Sequence, residues 1–128
     1  MRKFLFFMTL ISTSAMAGTQ TFDALTQGLK PWQPIAIHHS NDGIEIILNE
    51  DRVSNQIYSA VVRSGICPVL RSNSQSKSAR KITQIQIINR YMRQGFVLEQ
   101  PFNTCTEAGQ QTNSELTVLS NTHSYTAK

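Results

Sequence analysis

The sequence predicts an α+β domain in which a small antiparallel sheet of two hairpins packs on one main helix and one disulfide closes the chain. Three observations carry this. Val53, Ile57, Ala60, Val61 and Ile66 recur at steps of three, four and five, giving one apolar helical stripe. Residues 82–90 alternate instead, with Ile85, Ile87, Asn89 and Tyr91 on one side and Gln84, Gln86, Ile88 and Arg90 on the other, the period of a strand. Cys67 and Cys105 are the only cysteines, and no C-x-x-C or paired-histidine motif accompanies them, so a bond between them is expected rather than a metal pair or a reactive thiol.

The 128 residues suit a single domain, and 40% apolar against 16% charged residues disfavours a disordered chain. Met1 to Ala17 reads as a bacterial secretory signal peptide. Arg2 and Lys3 come first, an apolar run spans Phe4 to Ile11, and Ala15 and Ala17 supply the small residues for cleavage after Ala17. That run is far shorter than the roughly 20 residues of a membrane span, and Gly18 rather than cysteine follows the cut, against a lipid anchor. The expected product is residues 18–128 in the periplasm or medium, without a transmembrane segment. Arg2 and Lys3 account for half of the net charge of +4.

Thr21 to Gln27 suits a short helix with Phe22, Leu25 and Leu29 on one side, ended by Gly28 and Pro31. Trp32 to His39 and Ile44 to Leu48 read as two strands around the turn Ser40-Asn41-Asp42-Gly43. The main helix is expected from Asp51 to about Leu70, capped by Asn49 or Asp51, weakened by Gly65 and stopped or kinked by Pro68. Arg71 to Lys81, with serines at 72, 74, 76 and 78, reads as a polar loop outside the core. Phe96 to Gln100 pairs back on the Ile-rich strand through a hairpin at Tyr91 to Gly95. Thr104 with Glu107 suits a capping box for a helical turn ending at Gly109; Leu116 to Leu119 suits a last strand; Ser120 to Lys128 reads as a frayed tail. This order returns the chain so that Cys105 arrives beside the end of the main helix, where Cys67 lies. Closing that loop is worth about 4 kcal/mol in the chain-entropy model.

Charge is segregated along the chain. Arg52, Arg63, Arg71, Lys77, Arg80, Lys81, Arg90 and Arg93 occupy a stretch from 52 to 98 that holds no acid. The strand between them places Arg71, Lys77, Arg80 and Lys81 about 25 Å from Arg90 and Arg93, as two basic rims rather than one groove. An anionic lipid or glycan is one partner such rims suit. Nucleic acid is not expected, since no aromatic-interleaved recognition motif accompanies the charges.

Catalytic signatures are thin. His38 and His39 are adjacent on a strand and face opposite sides, and the remaining His123 sits in the tail, so neither a metal site nor a metal cofactor is expected. Two S-x-x-K matches, at 74–77 and 78–81, lie in the serine-rich loop without companion motifs. Asp42, Glu45, Glu50 and Asp51 are spaced as turn and helix-start residues, and no G-x-S-x-G, phosphate loop or H-E-x-x-H occurs. The reading is a non-enzymatic exported module, an inhibitor, immunity or accessory protein that binds another envelope or secreted protein. Its contacts are Tyr91, Met92 and Arg93 at the hairpin tip and Arg71, Lys77, Arg80 and Lys81 in the loop. The alternative is a small hydrolase using His38 or His39.

Overall fold

The computed structural model describes residues 17–39, 43–110 and 112–127, with side chains from residue 21 onward. Residues 1–16 of the expected signal peptide, and Ser40, Asn41 and Asp42 of the expected first turn, lie outside the described residues. The class is α+β, with a disulfide between Cys67 and Cys105 whose Cα atoms stand 5.0 Å apart. The sheet differs from two separate hairpins. It is one five-stranded sheet in the order β1-β2-β3-β4-β5: Ala36–His39, Gly43–Ile47, Gln84–Ile88, Gln94–Glu99 and Thr122–Thr126. Neighbours are antiparallel except β2 and β3, which run parallel with Ile46 opposite Ile87. A helical crossover returns the chain to the end of the sheet where β2 began, and that forces the parallel pair.

The crossover begins with α2 (Asn55–Ala60), continues without a break through a π-helical segment (Val61–Ile66) into α3 (Cys67–Ser72), and ends with α4 (Lys77–Lys81). Its cap is Ser54, whose Oγ accepts from Ile57 N at 3.1 Å, rather than Asn49 or Asp51. The helix cannot start earlier because the Gln94 side-chain amide takes both backbone groups of Val53, at 2.8 Å each. Pro68 does not stop the run. In the widened turn the Cys67 N–H bonds the Val62 carbonyl, and Pro68, which has no N–H to give, sits at the start of α3.

The serines of the expected loop are caps and ties. Ser76 caps α4, and Ser78 lies 3.0 Å from Thr21 Oγ1 on α1 (Ala17–Gly28), so Ala79 is buried in the core. Gly28 and Gly65 let α1 and the π segment meet. A Cβ on Gly28 would lie 2.6 Å from Val69 Cγ2, and one on Gly65 would lie 2.9 Å from Trp32 Cζ3.

After the β3–β4 hairpin, α5 (Pro101–Gln110) starts with proline in its first turn, a turn earlier than the capping box implied; Thr104 Oγ1 instead donates to the Glu99 carbonyl at 2.8 Å. Leu116 to Leu119 are not a strand. Asn113 caps α6 (Ser114–Ser120) by accepting from Leu116 N at 3.2 Å, and this local cap outweighs the β-propensity of four residues. The polar tail is not frayed through Ala127: it supplies edge strand β5, registered from Leu98↔Thr122 to Gln94↔Thr126.

On one sheet face Ile44, Ile46, Ile85, Ile87 and Leu98 join Leu25, Leu29, Val61, Ile66, Leu70 and Val118 in a single buried cluster. Tyr58, fully buried there, donates to Thr122 Oγ1, which donates to the Val118 carbonyl at 2.7 Å; this chain ties α2, β5 and α6. Burial pushes the Tyr58 hydroxyl up to about 12, against a smaller opposing pull from the Thr122 hydrogen bond. The other face carries the row His38, Glu45, Gln86, Val97, His123 and, beside it, Ile47, Ile88, Gly95 and Tyr125.

Candidate functional site

Two places gather uncommitted polar or aromatic side chains on a fixed backbone: the β3–β4 turn, and a pocket between the crossover helix, α5 and α6.

The turn is organised from below by Asn89, whose side chain is almost fully buried. Its Oδ1 accepts from Arg93 N at 2.9 Å and Gln94 N at 3.0 Å, and its Nδ2 donates to the Asp51 carbonyl at 2.8 Å. Met92 N donates to the Asn89 carbonyl at 2.9 Å, and Met92 holds a φ of 58°, the left-handed conformation that a non-glycine residue occupies at a cost of about 1 kcal/mol or more. Asp51 anchors the flank, pairing with Arg90 Nη1 at 3.2 Å and accepting from Tyr91 Oη at 3.2 Å. Above this frame Tyr91 is 60% and Met92 43% exposed, and Arg93 is exposed with no side-chain partner among the described residues. The tip residues that the sequence singled out therefore stand together.

The basic loop residues divide. Lys77, Arg80 and Lys81 are exposed on α4, whereas Arg71 belongs to α3 and faces a different neighbourhood. Arg71 Nη1 reaches the Cys105 carbonyl at 3.5 Å and lies over Gly109, where a Cβ would be 3.0 Å away. There it lines an open pocket of about 590 Å³ with Gln56, Ser59, Arg63, Ser64, Ser114 and Glu115, floored by Cys67 and Ala108. Ser59 is buried, and its Oγ has no hydrogen-bond partner among the described residues, a condition that costs about 1–3 kcal/mol. The sequence reading missed this pocket apart from Arg71. Its signal was present: Gln56, Ser59, Arg63, Cys67 and Arg71 are spaced three or four apart, a polar stripe beside the apolar one.

The histidines separate as adjacent strand residues must. His38 Nδ1 lies 3.1 Å from Glu45 Oε1 on the sheet face away from the main cluster, and the His39 ring meets Phe22 edge-on at 5.8 Å. His123 Nδ1 lies 3.4 Å from Glu99 Oε1 on the other edge strand. A shallow hollow of 170 Å³ adjoins His38 and Glu45, and its described lining, His39, Gly43, Ile44, Gln84 and Gln86, offers no hydroxyl or thiol nucleophile. Among the described residues, no group of three His, Cys, Asp or Glu is placed to hold a metal ion, and no helix is long and apolar enough to cross a membrane.

No protein-family model, curated protein or solved structure matches the chain.

Proposed function

We propose that the chain is an exported, non-enzymatic protein-binding module that engages another envelope or secreted protein through Tyr91, Met92 and Arg93. One observation carries the reading: three large exposed side chains project from a turn whose backbone is fixed by the buried Asn89 amide and the Gln94–Val53 pair. A rigid tip loses little conformational entropy on binding, and tyrosine and arginine are the residues most enriched among energetically dominant interface contacts. The left-handed Met92 adds to this, since backbone strain is retained where the surroundings over-determine it. The unpaired Arg93 guanidinium suits a partner surface that offers a carboxylate beside an apolar notch. Export is supported by the leader-like run before Gly18 and by the disulfide, which persists in an oxidising compartment.

The test is site-specific photocrosslinking in cells exporting the full-length chain, with the probe at position 91 and, as control, at the exposed Asn103 on α5. A discrete adduct is expected at 91 and not at 103. Arg93→Glu should reduce it at least tenfold, equivalent to about 1.4 kcal/mol. Equal adducts at both positions, or indifference to Arg93→Glu, would overturn the assignment. Intact mass of the envelope fraction reads the remaining claim: a chain starting at Gly18 and lacking two hydrogens is expected.

A further inference from the structure

The pocket between the crossover helix, α5 and α6 shares no residue with the hairpin tip, and its chemistry goes beyond that reading. Its charges are placed on different walls. Arg63, in the π segment, and Arg71, in α3, stand on one side; Glu115 stands on the other, in the first turn of α6. Arg63 and Glu115 have no side-chain partner among the described residues, and Arg71 has only the 3.5 Å bond to the Cys105 carbonyl. Ser64, Ser114 and Gln56 add two hydroxyls and an amide to the lining, and Ala60, Cys67 and Ala108 are its apolar members.

We propose that this pocket binds a small α-amino-carboxylate zwitterion, a free amino acid or short peptide, with its carboxylate on Arg63 and Arg71 and its ammonium at Glu115. Guanidinium forks match a carboxylate bidentately, and the facing carboxylate selects a ligand of opposite charge at its other end while repelling a simple dianion. The volume of about 590 Å³ is ample for a dipeptide and lies within the range of small-molecule sites. Ser59 is an independent pointer. The residue is 95% withdrawn from solvent and its Oγ lacks a partner among the described residues, beside an opening where a ligand group could supply one on rotation of the side chain. The π segment is the second. An extra residue in a helical turn is frequently found at functional sites, and this one carries Arg63 and Ser64 into the pocket lining. The disulfide ties α3, which carries Arg71, to α5, which carries Ala108, and so holds that part of the lining together.

The test is ¹⁵N–¹H NMR titration of protein processed from the full-length chain with a panel of L-amino acids and the dipeptide Ala-Ala, up to about 20 mM, where affinities near the millimolar range still register. Saturable shifts are expected at Ser59, Arg63, Ser64, Arg71 and Glu115 for at least one probe. They should be lost with the N-acetylated and the carboxamide forms of that probe. Arg63→Gln and Glu115→Gln should each weaken binding at least tenfold. Ser59→Ala should weaken it too while raising the melting temperature, because the variant removes a buried hydroxyl that has no partner among the described residues. Inorganic phosphate binding as well as the zwitterion, with Glu115→Gln tightening it, would replace the proposal with a simple anion site. Absence of saturable shifts with every probe would overturn it outright.

Discussion

Replacing Gly65 by alanine sets helix propensity against packing, and the structure decides the sign. Alanine is favoured over glycine inside a helix by about 1 kcal/mol, and Gly65 has no positive φ to preserve, so backbone preference alone predicts stabilisation. The new Cβ, however, would lie 2.9 Å from Trp32 Cζ3 and 3.1 Å from Leu29 Cδ2. Both distances fall short of the roughly 3.5–4.0 Å at which carbon atoms attract. Leu29 is fully buried and has nowhere to retreat, while half-buried Trp32 can move only by lifting off the helix. Overpacking of this kind costs about 1–3 kcal/mol, so after the propensity gain the net effect is a loss of up to about 2 kcal/mol and a melting temperature lowered by up to about 10 °C. Differential scanning calorimetry or urea unfolding reads it. The mechanism is tested by a cycle with Trp32→Leu, which empties the space above Gly65: in that background Gly65→Ala should be neutral or stabilising, with a coupling energy near 1 kcal/mol. Stabilisation by Gly65→Ala in the wild-type background, or a cycle that closes additively, would refute the reasoning.

Replacing both Cys67 and Cys105 by alanine should lower unfolding free energy by about 4 kcal/mol, read as a shifted urea midpoint, and dithiothreitol should have no effect on that variant. Tyr58 makes stability fall at alkaline pH. Its hydroxyl ionises near 10 when unfolded and near 12 when folded, so the contribution is complete below pH 10, is lost as pH rises from 10 to 12, and totals roughly 2–3 kcal/mol; Tyr58→Phe should flatten that limb. Asn89→Ala removes three hydrogen bonds from the base of the hairpin tip and should cost about 2–3 kcal/mol, with faster amide exchange at Arg93 and Gln94 but not at Ile85 and Ile87.

How far the sequence revealed the fold depended on whether a residue's role was local. The helical stripe through Val53, Ile57, Val61 and Ile66 and the alternation of Ile85 and Ile87 are periodic signals, and both mark true elements. The meeting of Cys67 with Cys105 also followed, because both cysteines lie at one end of the third strand whichever way β2 is paired. The parallel pairing of β2 with β3 left no such trace, since Ile44, Ile46 and Ile47 suit either direction. Residues 122–126 are polar because β5 is an edge strand, and an edge needs no apolar alternation to be paired. Ser76 looked like a loop residue because capping residues favour both loops and helix starts, and the choice between them is made by Ala79 finding the core. At the candidate sites, Tyr91, Met92 and Arg93 were legible as exposed large side chains on a short turn. The pocket was not, because Ser114 and Glu115 belong to a helix distant in sequence whose following residues, Leu116 to Leu119, read as a strand.

The crossover also has a consequence for the order in which the sheet can be completed. β2 gains β1 as soon as the first hairpin forms, but its other edge, with Ile44, Ile46 and Ile47, finds its partner only when residues 84–88 arrive. The edge stays open until the intervening 48–83 segment and residues 84–88 have followed it into the compartment where the chain folds. Through that interval the edge offers unpaired backbone groups and a row of isoleucines, a template for pairing with any other extended chain. The length of the crossover, more than any property of the finished sheet, sets how long that edge must be guarded.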